Sequence, residues 1–207
     1  MSPSVTLPVE NVCLPDVPTV NGMCRTKARV EQEIEAFLKS VERRAFRMAE
    51  LSLRHPDDAL DVVQDAMLQL VRHYAARSPA EWPPLFFRIL RNGIRDAQRR
   101  RRTRNRLIPW WTGGVSQEDP ADDPMEVAVS TGQTPDESLA QDQAMERLAE
   151  AVRGLPDRQR EAFLLRSLEG FDVATTAHVM GCSQGSVKTH YFRALSHLKA
   201  ALKDHKI

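Results

Sequence analysis

FDVATTAHVMGCSQGSVKTHYFRALSHL, residues 171–198, reads as two helices joined by a tight turn. Asp172 is placed to cap a short helix over Val173 to Met180, and Ser183 to cap a second running to about Lys203. Short side-chain oxygens suit both positions because they accept from first-turn amides. Between the caps, Gly181-Cys182-Ser183 makes the turn. A helix-turn-helix needs a small residue where its helices cross, a glycine in the turn and an apolar lock on the second helix; Ala177, Gly181 and Val187 supply these in order. The expected inward set of the second helix is Val187, Tyr191, Ala194, Leu195 and Leu198. Its opposite side offers Gln184, Ser186, Lys188, Thr189, Phe192 and Arg193. Such short polar and cationic groups reach base edges and phosphates in a major groove. An amphipathic helical hairpin with a solvated face gives the same local pattern.

Upstream, the same three- and four-residue apolar period recurs. It runs through Val30, Ile34, Phe37, Leu38, Val41 and Phe46. A second helix opens at His55-Pro56-Asp57-Asp58, where proline fits the first turn and acids favour the helix N-terminus. Its expected buried stripe is Leu60, Val63, Met67, Leu70, Val71 and Tyr74. After a break at Arg77-Ser78-Pro79 and Pro83-Pro84, a third helix places Phe86, Ile89, Leu90 and Ile94 inward. Beyond it, Leu139, Met145, Leu148, Val152 and Leu155 restore the period, and a further helix spans Asp157 to Leu168. Strand-like alternation is missing throughout. The expected fold is all-α: two small helical domains joined by a flexible acidic linker, the C-terminal one a helix-turn-helix. The expected boundaries are a flexible tail over 1–27, a first domain over 28–102, a linker over 103–138 and a second domain over 139–207.

Charge is distributed in blocks. The 207-residue chain has a formal net charge of +1. Yet Arg88, Arg91, Arg95, Arg99, Arg100, Arg101, Arg102, Arg104 and Arg106 stand against Asp96 alone, and an acidic run follows from Glu118 to Glu137. Opposite blocks mark surfaces with different partners. Trp110-Trp111 in the linker is either a patch covering one domain or an anchor for a partner.

Other classes fare poorly. Three cysteines without paired spacing argue against a disulfide scaffold or zinc finger. His178 and Cys182 stand four apart, but no further ligand is spaced to close a metal site, so a turn cysteine beside an exposed histidine is the plainer reading. No run approaches the roughly 20 apolar residues that span a bilayer, and the first residues lack a signal-peptide pattern. A cytoplasmic, non-enzymatic protein without cofactors is expected, since no phosphate-cradling glycine loop or catalytic set stands out.

Three segments carry a family resemblance. LPDRQREAFLLRSLEGFDVATTAHVMGCSQGSVKTHYFRALSHLK resembles the −35-reading domain of extracytoplasmic-function sigma factors. DDALDVVQDAMLQLVRH resembles their polymerase-binding helix, and FFRILRNGIRDAQRRRR their −10-reading helix. The order is the family's, and the match covers most of residues 34–200. Leu85 replaces a usual tryptophan, Thr176 a usual large aliphatic, and Ala174-Thr175 an acidic pair.

The resemblance implies a subunit that binds core RNA polymerase and directs initiation at promoters. It implies no room for the middle domain of housekeeping sigma factors. It assigns Asp58, Asp61, Gln64, Asp65, Leu68 and Arg72 to the basic β′ clamp helices, with the β subunit also a partner; an acidic ridge around an apolar anchor suits that surface. Arg88, Arg91, Asn92, Arg95, Asp96 and Arg99 would face the −10 strand, arginines on phosphates and Asn92 and Asp96 on bases. The loop from Ala75 to Pro84 corresponds to the pocket for a flipped base, where Trp82 and Phe86 either stack on the base or belong to the core. The −35 element falls to Gln184, Ser186, Lys188, Thr189, Phe192 and Arg193. The acidic linker would thread toward the RNA exit channel, and an anti-sigma protein is an implied partner. A stand-alone helix-turn-helix regulator is the alternative; it explains residues 171–198 but leaves the acidic helix and the −10-like segment unexplained.

Overall fold

The computed structural model describes residues 27–107 and 135–203, with side chains over 27–104 and 143–203. These residues form an all-helical structure in two bundles. The first contains α1 (Lys27–Leu53), α2 (Pro56–Tyr74) and α3 (Trp82–Leu107), with a short 3-10 turn at Pro79–Glu81 before α3. The second contains α4 (Pro135–Arg153), α5 (Asp157–Phe163), α6 (Val173–Met180) and α7 (Gln184–Lys203). A π-helical turn, Leu164–Leu168, replaces the expected straight continuation of α5 and leaves neighbouring Leu164 and Leu165 both buried. α3 runs on to Leu107 and α4 starts at Pro135, both inside the span expected for the linker. The tail, Trp110-Trp111 and the acidic run up to Pro135 lie outside the described residues.

Local chemistry sets the boundaries. α1 stops at Arg54, whose left-handed backbone (φ 59) costs about 1–2 kcal/mol for a residue with a Cβ. Pro56 then opens α2, with Asp57 and Asp58 in its first turn. Ser78 and Glu81 form a reciprocal capping box that leads into α3, where Pro83 and Pro84 cost nothing because first-turn amides lack helical partners.

In the first bundle, α2 buries Ala59, Val62, Val63, Ala66 and Leu70. Small side chains let α3 approach closely: a Cβ on Gly93 would lie 2.9 Å from Val62 Cγ1. Trp82, Phe86 and Phe87 are fully buried. Phe37 packs on Trp82 and edge-on to Phe86, with ring centroids 5.9 and 6.0 Å apart.

The two bundles share one continuous core. Phe87 of α3 packs edge-on against Phe171, which precedes α6. Arg54 donates to the carbonyl of Arg153 at 2.8 Å, and buried Arg160 donates to the same carbonyl at 2.9 Å. These cations occupy the end of α4, where free carbonyls favour positive charge.

Candidate nucleic-acid interface

The helix-turn-helix is built as its local signals require. Asp172 accepts from the Thr175 amide at 2.7 Å, and that bond, foremost among its causes, holds the carboxyl below its ordinary pKa. Thr176 is fully buried, and its hydroxyl donates to the Asp172 carbonyl at 2.7 Å. Gly181 takes the left-handed conformation (φ 62) that ends α6, while the Cys182 amide reaches back to the Ala177 carbonyl. Ser183 accepts from the Ser186 amide at 3.1 Å and starts α7.

On α7, Val187, Ala194 and Leu198 are buried and Tyr191 is half-buried. Leu195 was expected inward but is exposed, one helical step off the buried stripe. Gln184, Lys188, Thr189, Phe192 and Arg193 are all exposed, with Phe192 70% accessible. Ser186 is half-buried and its hydroxyl meets that of Ser183 at 2.9 Å. Thr189 donates to the Gly185 carbonyl. Five of the six expected side chains therefore stand in solvent on one helix.

α3 departs further from expectation. Arg88, Asn92, Arg95, Asp96 and Arg99 are exposed. Arg91 was expected outward but is 6% accessible, held 3.2 Å from Glu161 of α5 and 3.3 Å from Asn92 Oδ1. Burial, opposed by Glu161, pulls its pKa below the usual guanidinium range. Trp82 is also removed from the candidate surface: its ring is buried and its indole N–H donates to the Tyr74 carbonyl at 3.1 Å. Phe86 belongs to the core as well. Asp96 pairs with Arg99 at 3.2 Å.

The α2 set is intact. Asp58, Asp61, Gln64, Asp65, Leu68 and Arg72 are all exposed. Leu60 and Val71, expected in the buried stripe, are 46% and 42% exposed, as is Leu68 at 49%. Spaced at 60, 64, 68 and 71, these positions follow one helical face. Leu60, Leu68 and Val71 thus form an apolar strip interrupted by Gln64, with Asp61 and Asp65 at its edge. Sequence reasoning assigned Leu60 and Val71 to the core because periodicity records apolar residues without saying which stripe meets the neighbour.

Among the described residues, no cluster of three or more His, Cys, Asp or Glu side chains could hold a metal ion. No helix of the described residues is long and apolar enough to cross a membrane.

Comparison with known proteins adds identity to this geometry. Residues 34–104 match the family model for sigma-70 region 2, and residues 145–198 that for sigma-70 region 4. The ECF RNA polymerase sigma factor SigM of Mycobacterium tuberculosis is 30% identical over 161 residues, covering 77% of this chain and 72% of that protein. The RNA polymerase sigma-E factor of Streptomyces avermitilis is 29% identical over 173 residues, covering 83% and 86%. Similarity to ECF RNA polymerase sigma factor BldN of Streptomyces coelicolor is local, 39% over 71 residues and 27% of that protein. Among solved structures, the sigma factor RpoE of Bartonella quintana in complex with the anti-sigma factor NepR superposes with a TM-score of 0.59 at 24% identity, covering 85% of this chain and 98% of that one. CnrH in complex with the cytosolic domain of CnrY gives 0.52 at 20% identity, covering 86% and 96%.

Proposed function

This chain belongs to the extracytoplasmic-function sigma factors of the sigma-70 family and acts in transcription initiation, and from that premise we propose how its surfaces divide the work. α2 docks on the β′ clamp helices of core RNA polymerase. Its apolar strip, Leu60, Leu68 and Val71, supplies buried contact, and Asp58, Asp61 and Asp65 complement a basic partner. The β subunit completes the polymerase contact. α3 holds the melted −10 strand through Arg88, Arg95 and Arg99, and through Arg91 once its contact with Glu161 is broken, with Asn92 and Asp96 toward bases. α7 reads the −35 duplex, with Lys188 and Arg193 carrying most of the discrimination.

One observation carries the reading. The α2 and α7 faces lie on separate elements, and each is solvent-exposed over nearly its whole expected set. A protein that only bound duplex DNA would need the α7 face and not the strip on α2. In this reading residues 28–102 form the polymerase and −10 module and residues 139–207 the −35 module. An anti-sigma protein is a further partner; the similar RpoE structure is a complex with the anti-sigma factor NepR. Sigma factors are not enzymes, and the reading assigns the chain no reaction of its own.

The test is transcription from a promoter library with polymerase lacking any sigma subunit. Core-dependent initiation from a shared pair of upstream elements is expected. Duplex binding without polymerase-dependent initiation would favour the stand-alone regulator.

A further inference from the structure

The seam between the bundles is lined with charge that matches across it. Glu161 lies 3.2 Å from Arg91, 3.9 Å from Arg95 and 3.2 Å from Arg158 of its own helix. One turn earlier, Asp157 lies 2.8 Å from Arg102 and 2.6 Å from Arg160. Asp157 and Glu161 share one face of α5. Opposite them stand arginines of α3 that include two from the candidate strand-binding set. Carboxylates and phosphates present guanidinium with the same charge-assisted, fork-matching oxygens. Arg91 is 6% accessible, so no strand reaches it while this contact lasts.

We propose that the acidic face of α5 is an internal stand-in for the promoter strand: in the free protein Asp157 and Glu161 occupy the arginines of α3 and hold the two bundles closed. The proposal rests on reading α3 as the strand-binding helix. The closed form is selective in what it covers. Lys188, Phe192 and Arg193 on α7 stay exposed, as do Asp61, Asp65 and Leu68 on α2. The polymerase-docking and upstream-reading faces are therefore free, while on the strand-binding helix Arg91 is covered and Arg95 is engaged at 3.9 Å, with Arg88, Asn92, Asp96 and Arg99 still exposed. Binding then has an order: the free protein engages polymerase first, and separation of the bundles releases Arg91 and Arg95 to DNA.

Glu161→Gln and Phe171→Ala in the full chain test this. The first neutralises the carboxylate at the centre of the seam; the second weakens the seam without changing charge. Neither residue belongs to a proposed binding face, and circular dichroism checks that helices persist. Small-angle scattering reads the separation of the bundles, and fluorescence anisotropy reads binding to a short A/T-rich single-stranded DNA. The wild type should be compact and bind weakly. Both variants should expand and bind about tenfold tighter or more, because a contact that hides the competent state lowers apparent affinity by the fraction hidden. A wild type that is already extended, or expanded variants that bind no better, would overturn the internal competitor. Adding Arg88→Ala and Arg95→Ala to Glu161→Gln separates the two claims. Loss of the gain in binding supports both, whereas a gain that persists removes α3 as the strand-binding helix and the competitor reading with it.

Discussion

Phe87 and Phe171 meet edge to face, ring centroids 5.5 Å apart and planes at 81°, across the boundary between the two helical bundles. Phe87 is fully buried although its neighbour Phe86 is buried too. Adjacent residues on a helix point about 100° apart, so α3 has protein on two sides. One side is its own bundle, through Phe86, and the other is the helix-turn-helix bundle, through Phe87. A double-mutant cycle on Phe87→Ala and Phe171→Ala measures this contact. Phe87→Ala should cost about 3–5 kcal/mol, with a coupling of about 0.5–1.5 kcal/mol between the rings. Strict additivity in denaturant unfolding would show that the bundles do not meet there.

Gly93 offers a test of the first bundle alone. Its missing side chain admits Val62, whose Cγ1 would lie 2.9 Å from an added Cβ. Both atoms belong to packed helices, so the clash is relieved only by shifting α2 against α3. Gly93→Ala should therefore destabilise the chain by about 1–3 kcal/mol, despite alanine's better helix propensity. Thermal melting of the two proteins decides it; an unchanged or higher midpoint would mean the helices are less tightly apposed.

Much of this architecture was legible in the sequence where the signals act between near neighbours. Asp172, Gly181 and Ser183 fix α6, the turn and the start of α7 through bonds to residues at most five positions away. Pro56 and its two acids mark the start of α2 in the same way. Long-range placement was not legible. Leu60, Val71, Met145 and Leu195 are apolar yet exposed, because an apolar residue satisfies a periodic pattern whether it faces a core or a partner. Arg91 lies inward for the opposite reason, and of the two readings open for Trp82 the core one holds; their surroundings come from Glu161 and Tyr74, which helix periodicity does not connect to them. The paired Phe86-Phe87 was the available trace of a second buried side on α3.

Lys188 and Arg193 are exposed on α7. Replacing either by alanine should cost about 1–3 kcal/mol of discrimination at the base it contacts, with core association unchanged. Start-site profiles from a promoter library read the effect. Unchanged upstream preference in both variants would place −35 reading on other residues.

Glu169 joins the bundles through Arg44, 3.3 Å away, with its side chain 2% accessible and one carboxylate oxygen lacking a hydrogen-bond partner. Burial, only partly opposed by Arg44, raises its pKa from the ordinary 4.5 to about 7. The folded chain thus binds a proton that the unfolded chain has already released between those values. Stability is fully present below about pH 4.5 and falls as pH rises through 7. This contribution is about 1–3 kcal/mol. Glu169→Gln should flatten the decline in thermal midpoint between pH 5 and pH 8. Parallel curves for the two proteins would assign the pH dependence elsewhere.

The most direct measurement of how this chain works is its association with core polymerase free of other sigma subunits, compared with Asp61→Arg and Leu68→Asp. Both positions are exposed on α2 and away from the buried face of Ala59, Val62, Ala66 and Leu70, so helicity and thermal stability should hold. The account predicts stable association of the wild type and at least tenfold weaker association of each variant, a loss of about 1.4 kcal/mol or more. Equal affinity for all three proteins, or no association of the wild type, would contradict it.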